Sequence, residues 1–303
     1  MMVSVCIPVY NSEKTLREVC DRTVQVLSTL TDKFEIILVD DGSSDDSWHA
    51  AEELHRKDRR IKIIQLARNF GQHNALMCAF HYVKGDYIVT IDDDLQIAPE
   101  DIPKLFYKIQ EGHDVVYGTY WRKQHNAVRN FGSSLVQFVF RKVFRVSVGL
   151  TSFRIIKKEI VRSILTYNMN FTFIDGFLAW YTKHITSVQV SHSERAAGRS
   201  GYRFGQLAQL SLNMLTNFSI SPLQAASITG LSFSIFGFIL GFYFFIKKIF
   251  FGIPIMGFAA TGVLITIFSG VQLLSLGLIG EYVGRVHLNL NKKPQFVVRQ
   301  ILD

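Results

Sequence analysis

The sequence predicts an α/β protein, with a doubly wound, mostly parallel sheet over residues 1–202 and a two-helix membrane hairpin after it. Three observations carry this reading. Between residues 1 and 120, short apolar runs alternate with amphipathic stretches across short loops, the pattern of strands linked by crossover helices. Two of those runs end abruptly in carboxylates, Asp40-Asp41 and Asp92-Asp93-Asp94, where ligands gather in parallel sheets. Residues 225–246 and 252–280 carry no charge over 22 and 29 positions, and about 20 apolar residues span a bilayer.

Taken in order, residues 2–9 read as a buried strand, and a helix runs from Asn11-Ser12-Glu13 to about Leu30 with Ser12 as its N-cap. Phe34 to Val39 is a second strand, followed by a helix through Lys57 capped near Ser44 or Asp45. Ile61 to Leu66 is a third strand, with a helix reaching Val83. Asp86 to Ile91 is the fourth strand, and a helix opens at Pro99, where a missing N–H costs nothing. Asp114 to Thr119 is the fifth. Short strands near Ser152–Ile156 and Ser187–Val190 complete the sheet, and Asp175-Gly176 opens a helix containing Trp180.

Charge separates the chain into two halves. Residues 1–120 hold 13 basic and 20 acidic side chains; residues 121–303 hold 20 and 5. A basic second half suits a phosphate-rich partner, nucleic acid or an anionic membrane face. The two uncharged stretches decide for the membrane and against nucleic acid. Phe131, Leu135 and Phe138 at helical spacing beside Arg122, Lys123, Arg129, Arg141, Lys142 and Arg145 form an interfacial helix pattern; a solvated helix packed on its own domain fits the pattern equally. The resulting boundaries are a cytoplasmic α/β domain at 1–202, an amphipathic juxtamembrane segment at 203–222, a hairpin at 223–284 (spans near 225–248 and 254–281) and a cytoplasmic tail at 285–303. A hairpin returns Arg285, Lys292, Lys293 and Arg299 to the domain's side, as the positive-inside tendency requires. Lys247 and Lys248 are the exception and are expected to snorkel.

Cys6, Cys20 and Cys78 form no CxxC pair, which points to reduced thiols in a cytosolic compartment. The N-terminus enters its first strand at once, so no signal peptide is expected. Neither GxGxxG nor GxxxxGK[ST] occurs, and dinucleotide and P-loop chemistry are not signalled.

The acidic strand ends carry the chemistry. With strand alternation, Asp92 and Asp94 point to one side, and two hard oxygen ligands suit Mg2+ or Mn2+ with substrate phosphates completing the octahedron. Asp40 and Asp41 are placed to accept hydrogen bonds from a nucleoside. The loop 193–203 holds Arg195, Arg199 and Arg203 beside Ser200, and guanidinium groups clamp phosphates bidentately.

These residues resemble a known pattern. IPVYN (7–11), ILVDDGSSDDS (37–47), ARNFGQH (67–73), DxDLQ (92–96), SERAAGRSGY (193–202) and GLIGEYVGR (277–285) follow one another as in family 2 glycosyltransferases of the polyprenyl-phosphate branch. That branch includes bactoprenol glucosyltransferases, dolichol-phosphate mannose synthases and undecaprenyl-phosphate aminoarabinose transferases, and the tail is most similar to the last. The resemblance implies a GT-A fold and an inverting, inner (plasma) membrane, multi-pass enzyme with a cytoplasmic catalytic domain. Its substrates would be a nucleotide-sugar (a UDP-sugar) and a polyprenyl phosphate such as undecaprenyl phosphate. By motif match, Pro8, Tyr10, Asp40, Asp41 and Arg68 line the nucleoside pocket. Asp92 and Asp94 hold Mg2+ or Mn2+ with Gln96 beside them, Arg195 and Ser200 close over the diphosphate, and Arg129 is a looser match for the lipid phosphate.

Two departures stand out. Many relatives carry an aspartate before the Phe-Arg pair, where this chain has Ser152-Phe153-Arg154, and their Ser-Lys-Tyr is here Ser200-Gly201-Tyr202. A catalytic base at 152 is therefore in question. Asp175 is the substitute, although a helix N-cap role suits it as well. A phosphate monoester acceptor, with a second pKa near 6, needs no base at all. Other readings are a polysaccharide synthase, which expects a QxxRW segment that Trp48, Trp121 and Trp180 do not supply, and an inactive membrane scaffold. Gly237, Gly241, Gly262 and Gly270 would allow close helix packing between subunits, and the resemblance points to a homo-oligomer, a tetramer among the options.

Overall fold

A computed structural model of the chain describes residues 1–120, 148–167, 171–191, 213, 215–251, 257–291 and 293–303. The chain divides into two compact units, one comprising Met1–Leu210 with Lys292–Asp303, the other Ser211–Asn291.

The first unit is built on one sheet of eight strands in the order β7-β5-β6-β4-β1-β2-β3-β8. Its first half runs β1 (Val3–Val9), α1 (Leu16–Leu30), β2 (Phe34–Asp40), α2 (Ser47–Lys57), β3 (Ile61–Leu66), α3 (Gln72–Tyr82) and β4 (Tyr87–Thr90). A 3-10 turn at Pro99–Asp101 then leads into α4 (Ile102–Ile109), followed by β5 (Val115–Thr119), β6 (Arg154–Lys157), α5 (Lys158–Leu165), α6 (Ile174–Tyr181) and β7 (Ile185–Gln189). Every residue of β1 and β2 is buried, as expected for strands covered on both faces by crossover helices. Helix α1 buries Leu16, Val19, Cys20, Thr23 and Leu27, one stripe at helical spacing. The Thr23 hydroxyl within that stripe donates to the Val19 carbonyl at 2.6 Å, so its burial leaves no unmet donor.

Strand order explains where a ligand fits. The chain moves outward from β1 to β2 and β3, then crosses back to place β4 on the other side of β1. The gap between β1 and β4 is the topological switch point, and a crevice opens there at the strands' carboxyl ends.

Three features differ from the sequence expectation. Helix α1 begins at Leu16, and Ser12 is not its cap: Thr15 precedes the helix, and the Ser12 hydroxyl turns toward Asp93. Strand β6 runs antiparallel to both β4 and β5, so the sheet is mixed on that side. The tail forms a strand as well. β8 (Val298–Leu302) pairs antiparallel with β3, and Lys62 on β3 bonds Asp303 at 2.5 Å. The tail thereby covers a sheet edge that would otherwise offer its backbone to another chain. Cys6, Cys20 and Cys78 are all free and buried, as reduced core thiols should be.

The second unit is a pair of long helices, α7 (Ser221–Phe251) and α8 (Phe258–Leu290). Both are long and apolar enough to cross a membrane, with no part of the most apolar windows buried within the protein. Phe238, Phe250 and Leu273 are each more than two-thirds exposed, an apolar surface that water does not tolerate over such an area. Phe233 meets Phe268 edge-on, 5.9 Å between ring centroids, and Gly237 leaves room for that ring at van der Waals distance. At the other end of α8, Tyr282 donates to the Ser219 carbonyl at 2.7 Å and Arg285 bonds Glu281 one turn earlier at 2.6 Å. Lys247 lies over the Tyr243 ring at 5.2 Å, a cation–π contact. The interfacial helix expected around Phe131 to Phe138 falls outside the described residues.

Candidate active site

A cleft of about 600 Å3 opens where β1, β2 and β4 end, lined among others by Pro8, Tyr10, Asp41, Asp92, Asp93 and Asp94. The local sequence forces the turn. Strand β4 stops at Thr90, and the acidic trio lies in the turn that follows. Strand alternation therefore does not persist through the trio, and all three carboxylates reach the cleft wall. The turn closes through Leu95 in the left-handed region, φ 59°, which costs a side-chain-bearing residue about 1–2 kcal/mol. Packing of Leu95 against the core offsets that cost.

Each carboxylate has distinct partners. Asp92 accepts from Gln72 Nε2 at 2.6 Å on one oxygen and from the Ser152 hydroxyl on the other. Asp93 accepts the Tyr10 N–H at 3.0 Å and the Ser12 hydroxyl, which joins the exit of β1 to that of β4. Asp94 accepts the Gln96 N–H at 3.1 Å. Withdrawal from water pushes the Asp92 carboxyl up to about 6, reinforced by the charges of Asp94 and Asp93 and opposed by the Ser152 hydroxyl. Asp93 is raised as well, burial being the first cause.

The second acidic pair divides its labour. Asp41 lines the cleft, and its two oxygens accept the N–H groups of Phe70 and Gly71 at 2.7 and 2.8 Å, fixing the loop before α3. Burial raises its carboxyl despite those bonds. Asp40 is buried beneath and accepts the Ser43 N–H at 3.1 Å. Gly42 between this pair and Ser43 has φ +71°, and a Cβ there would meet the Arg68 and Asn69 backbone at 2.7 Å. Only glycine fits.

Of the residues singled out in the sequence, Pro8, Tyr10, Asp41, Asp92 and Asp94 share the cleft wall. Asp40 sits behind it, Gln96 joins through its backbone, and Arg68 is exposed beside it with its guanidinium 4.6 Å from the Phe70 ring centroid. Asp175 is elsewhere: it is buried, bonded to Arg154 and to the Tyr117 hydroxyl, and is not among the lining residues. It lies in the first turn of α6, whose N-cap position is Phe173, so it is not the cap. Arg129, Arg195 and Ser200 lie outside the described residues. The sequence named Asp93 only as part of the acidic run and Ser152 only as a departure from the family pattern, and it assigned Ser12 and Gln72 no place in the site. Their roles depend on contacts between distant segments.

Do these residues suit a divalent cation? Among the described residues no three His, Cys, Asp or Glu side chains form a complete protein cage. Asp92 and Asp94 supply hard oxygens, and the carboxyls of Asp92 and Asp93 are raised by withdrawal from water and by their acidic neighbours, a repulsion that a cation would relieve. Two carboxylates with substrate phosphates and water are the donor set typical of Mg2+. The residues fit.

A family model described as "Glycosyl transferase family 2" matches residues 4–183. The chain belongs to this family. It is a glycosyltransferase with a GT-A fold. A relative from Shewanella sediminis, an undecaprenyl-phosphate 4-deoxy-4-formamido-L-arabinose transferase, is 34% identical over 99% of this chain and 92% of its own length. One of the same name from Proteus mirabilis is 33% identical over 99% and 94%. Among solved structures, the glucosyl-3-phosphoglycerate synthase of Mycobacterium tuberculosis with Mn2+, UDP and phosphoglyceric acid superposes with a TM-score of 0.54. It is 19% identical over 71% of this chain and 76% of that one. At that identity the likeness speaks for the fold.

Proposed function

We propose that this glycosyltransferase moves a sugar from a nucleotide-sugar, a UDP-sugar, to the phosphate of a polyprenyl phosphate such as undecaprenyl phosphate. The observation that carries the reading is the acidic trio at the mouth of β4, facing a cleft at the sheet's switch point. The names of the full-length relatives support the acceptor, and the UDP and Mn2+ bound to the mycobacterial neighbour support the donor.

Pro8, Tyr10 and Asp41 form the nucleoside side of the cleft, with Asp40 shaping the turn beneath. Asp92 and Asp94 are the residues for Mg2+ or Mn2+, which when bound would stabilise negative charge on the departing diphosphate. Arg195 and Ser200 are assigned by motif to the diphosphate and Arg129 to the lipid phosphate. The acceptor phosphate is ionised at neutral pH and serves as its own nucleophile; the protein's part is to hold it in line with the anomeric carbon. Attack from the opposite face inverts that centre. No base is needed, which suits a chain with Ser152 before its Phe-Arg pair and Asp175 engaged by Arg154.

The two apolar helices support membrane attachment beside the lipid acceptor. Both ends of the hairpin lead into the first unit, since the tail strand β8 belongs to the same sheet as β1, and that supports a single-sided, cytoplasmic placement of the domain. The test is a screen of nucleotide-sugars against the purified protein with undecaprenyl phosphate, reading the mass of the lipid product. UDP-4-deoxy-4-formamido-L-arabinose is the first donor to try. A sugar-phosphate lipid with any UDP-sugar supports the reading, and none from a complete donor panel overturns it.

A further inference from the structure

Behind Asp92 lies a hydrogen-bonded relay that crosses three strands. Thr90, Arg154 and Tyr117 face one another in register across β4, β6 and β5. Arg154, almost wholly buried, points one arm at Asp175 and donates through Nε to the Thr90 hydroxyl at 3.2 Å. Thr90 in turn donates to the Ser152 carbonyl at 2.5 Å, and the Ser152 hydroxyl donates to Asp92. Tyr117 completes the far end by donating to Asp175 at 2.8 Å.

Arg154 donates both ways, to Asp175 on one side and to Thr90 on the other, and from Thr90 onward each hydroxyl donates toward Asp92, so each donor's orientation is fixed by its acceptor. The guanidinium cannot give up its charge, and Asp175, in the first turn of α6, also gains from the helix N-terminus. The pair is thus a rigid anchor buried under the cleft floor. Ser152 stands two residues before β6, between Thr151, whose hydroxyl bonds the Gly118 carbonyl at 2.8 Å, and Phe153, whose carbonyl accepts the Gly118 N–H at 2.9 Å. Thr90 pins the Ser152 carbonyl, and with the carbonyl held, the hydroxyl is aimed at Asp92.

We propose that Ser152, Arg154 and Asp175 are positioning residues that set the Asp92 carboxylate for the divalent cation, with Asp175 acting through Arg154 and Ser152 and never touching substrate. The inference rests on the proposed function, because it takes Asp92 and Asp94 as the cation's ligands. Outer partners of a ligating carboxylate commonly matter 10–100-fold for metal affinity.

The test titrates Mn2+ into the full-length protein with UDP present, reading free Mn2+ by electron paramagnetic resonance alongside a thermal melt. Ser152→Ala and Asp175→Asn are expected to raise the Mn2+ Kd about tenfold or more, while Ser152→Thr, which keeps the hydroxyl, stays close to wild type. Lys157→Ala is the control for plain loss of stability: it removes a 3.0 Å ion pair with Asp114 from the same strand without reaching the cleft. Should Asp175→Asn fail to fold, Ser152→Ala decides alone, since that side chain is only partly buried. Unchanged Mn2+ affinity in folded Ser152→Ala overturns the relay. So does an equal loss in Lys157→Ala, which would reduce the effect to general destabilisation. Failure of the wild type to bind Mn2+ instead overturns the metal reading on which the relay depends.

Discussion

The N–H of Tyr10 donates to the carboxylate of Asp93 at 3.0 Å, across 83 positions of sequence. The same carboxylate takes the Ser12 hydroxyl, so the middle aspartate of the trio closes the cleft wall and holds the segment after β1. Asp93→Ala leaves these donors without their acceptor. A loss of about 1–3 kcal/mol in stability is predicted, with weaker UDP binding because Tyr10 is no longer held. Calorimetric unfolding and UDP titration check both; an unchanged melting temperature and UDP affinity would refute the clamp.

Gly42 makes a second prediction. Gly42→Ala places a methyl group against the Arg68 and Asn69 backbone and forces a side chain into φ +71°. The backbone term alone costs roughly 1–2 kcal/mol, and the clash displaces the loop that Asp41 holds. Lower stability and lower nucleotide affinity should appear together. If the variant melts like the wild type, the close approach is not real.

The raised Asp92 carboxyl gives a pH dependence. With its pKa at about 6 in the folded protein, above the ordinary carboxylate value, the folded state binds more protons than the unfolded one between those two values. Metal-free stability from this group therefore falls as pH rises through that window. Mn2+ affinity moves the opposite way, because the ion must displace the proton, and it should weaken steadily below about pH 6. Titrations from pH 5 to 8 (a range of roughly this span suits carboxylates so shifted) measure it. Flat affinity across the range contradicts a protonated Asp92.

The tail strand is a stability element. Removing residues 298–303 bares the edge of β3 and deletes the Lys62–Asp303 contact. The truncated protein should melt lower and self-associate more readily, since an open edge templates pairing. Light scattering and melting of the truncated protein test this; equal behaviour would mean that β8 is dispensable.

Much of the first unit could be read from local pattern. The apolar runs of β1 to β5 and the carboxylates at 41, 92 and 94 announced strands and a switch-point site, because buried parallel strands and their acidic exits are local features of sequence. What escaped reading depends on long-range pairing. Val298–Leu302 alternates weakly and carries Arg299 and Gln300, so nothing local marks it as a strand; β3 makes it one. Ser12 has the chemistry of a helix cap, yet Asp93 outcompetes the helix for its hydroxyl. Asp175 looked equally like a base or a cap, and a buried arginine 21 positions earlier took it instead. The antiparallel course of β6 follows from a return across 34 residues between β5 and β6, a connection whose direction no periodicity encodes.

Mn2+-dependent transfer by Asp94→Ala is the most direct test of the whole account. Purified in lipid nanodiscs with undecaprenyl phosphate and the donor found active in the screen, the wild type should form lipid product only with Mg2+ or Mn2+, and Asp94→Ala should form none while remaining folded. Product from Asp94→Ala at the wild-type rate would contradict a cation held at the exit of β4.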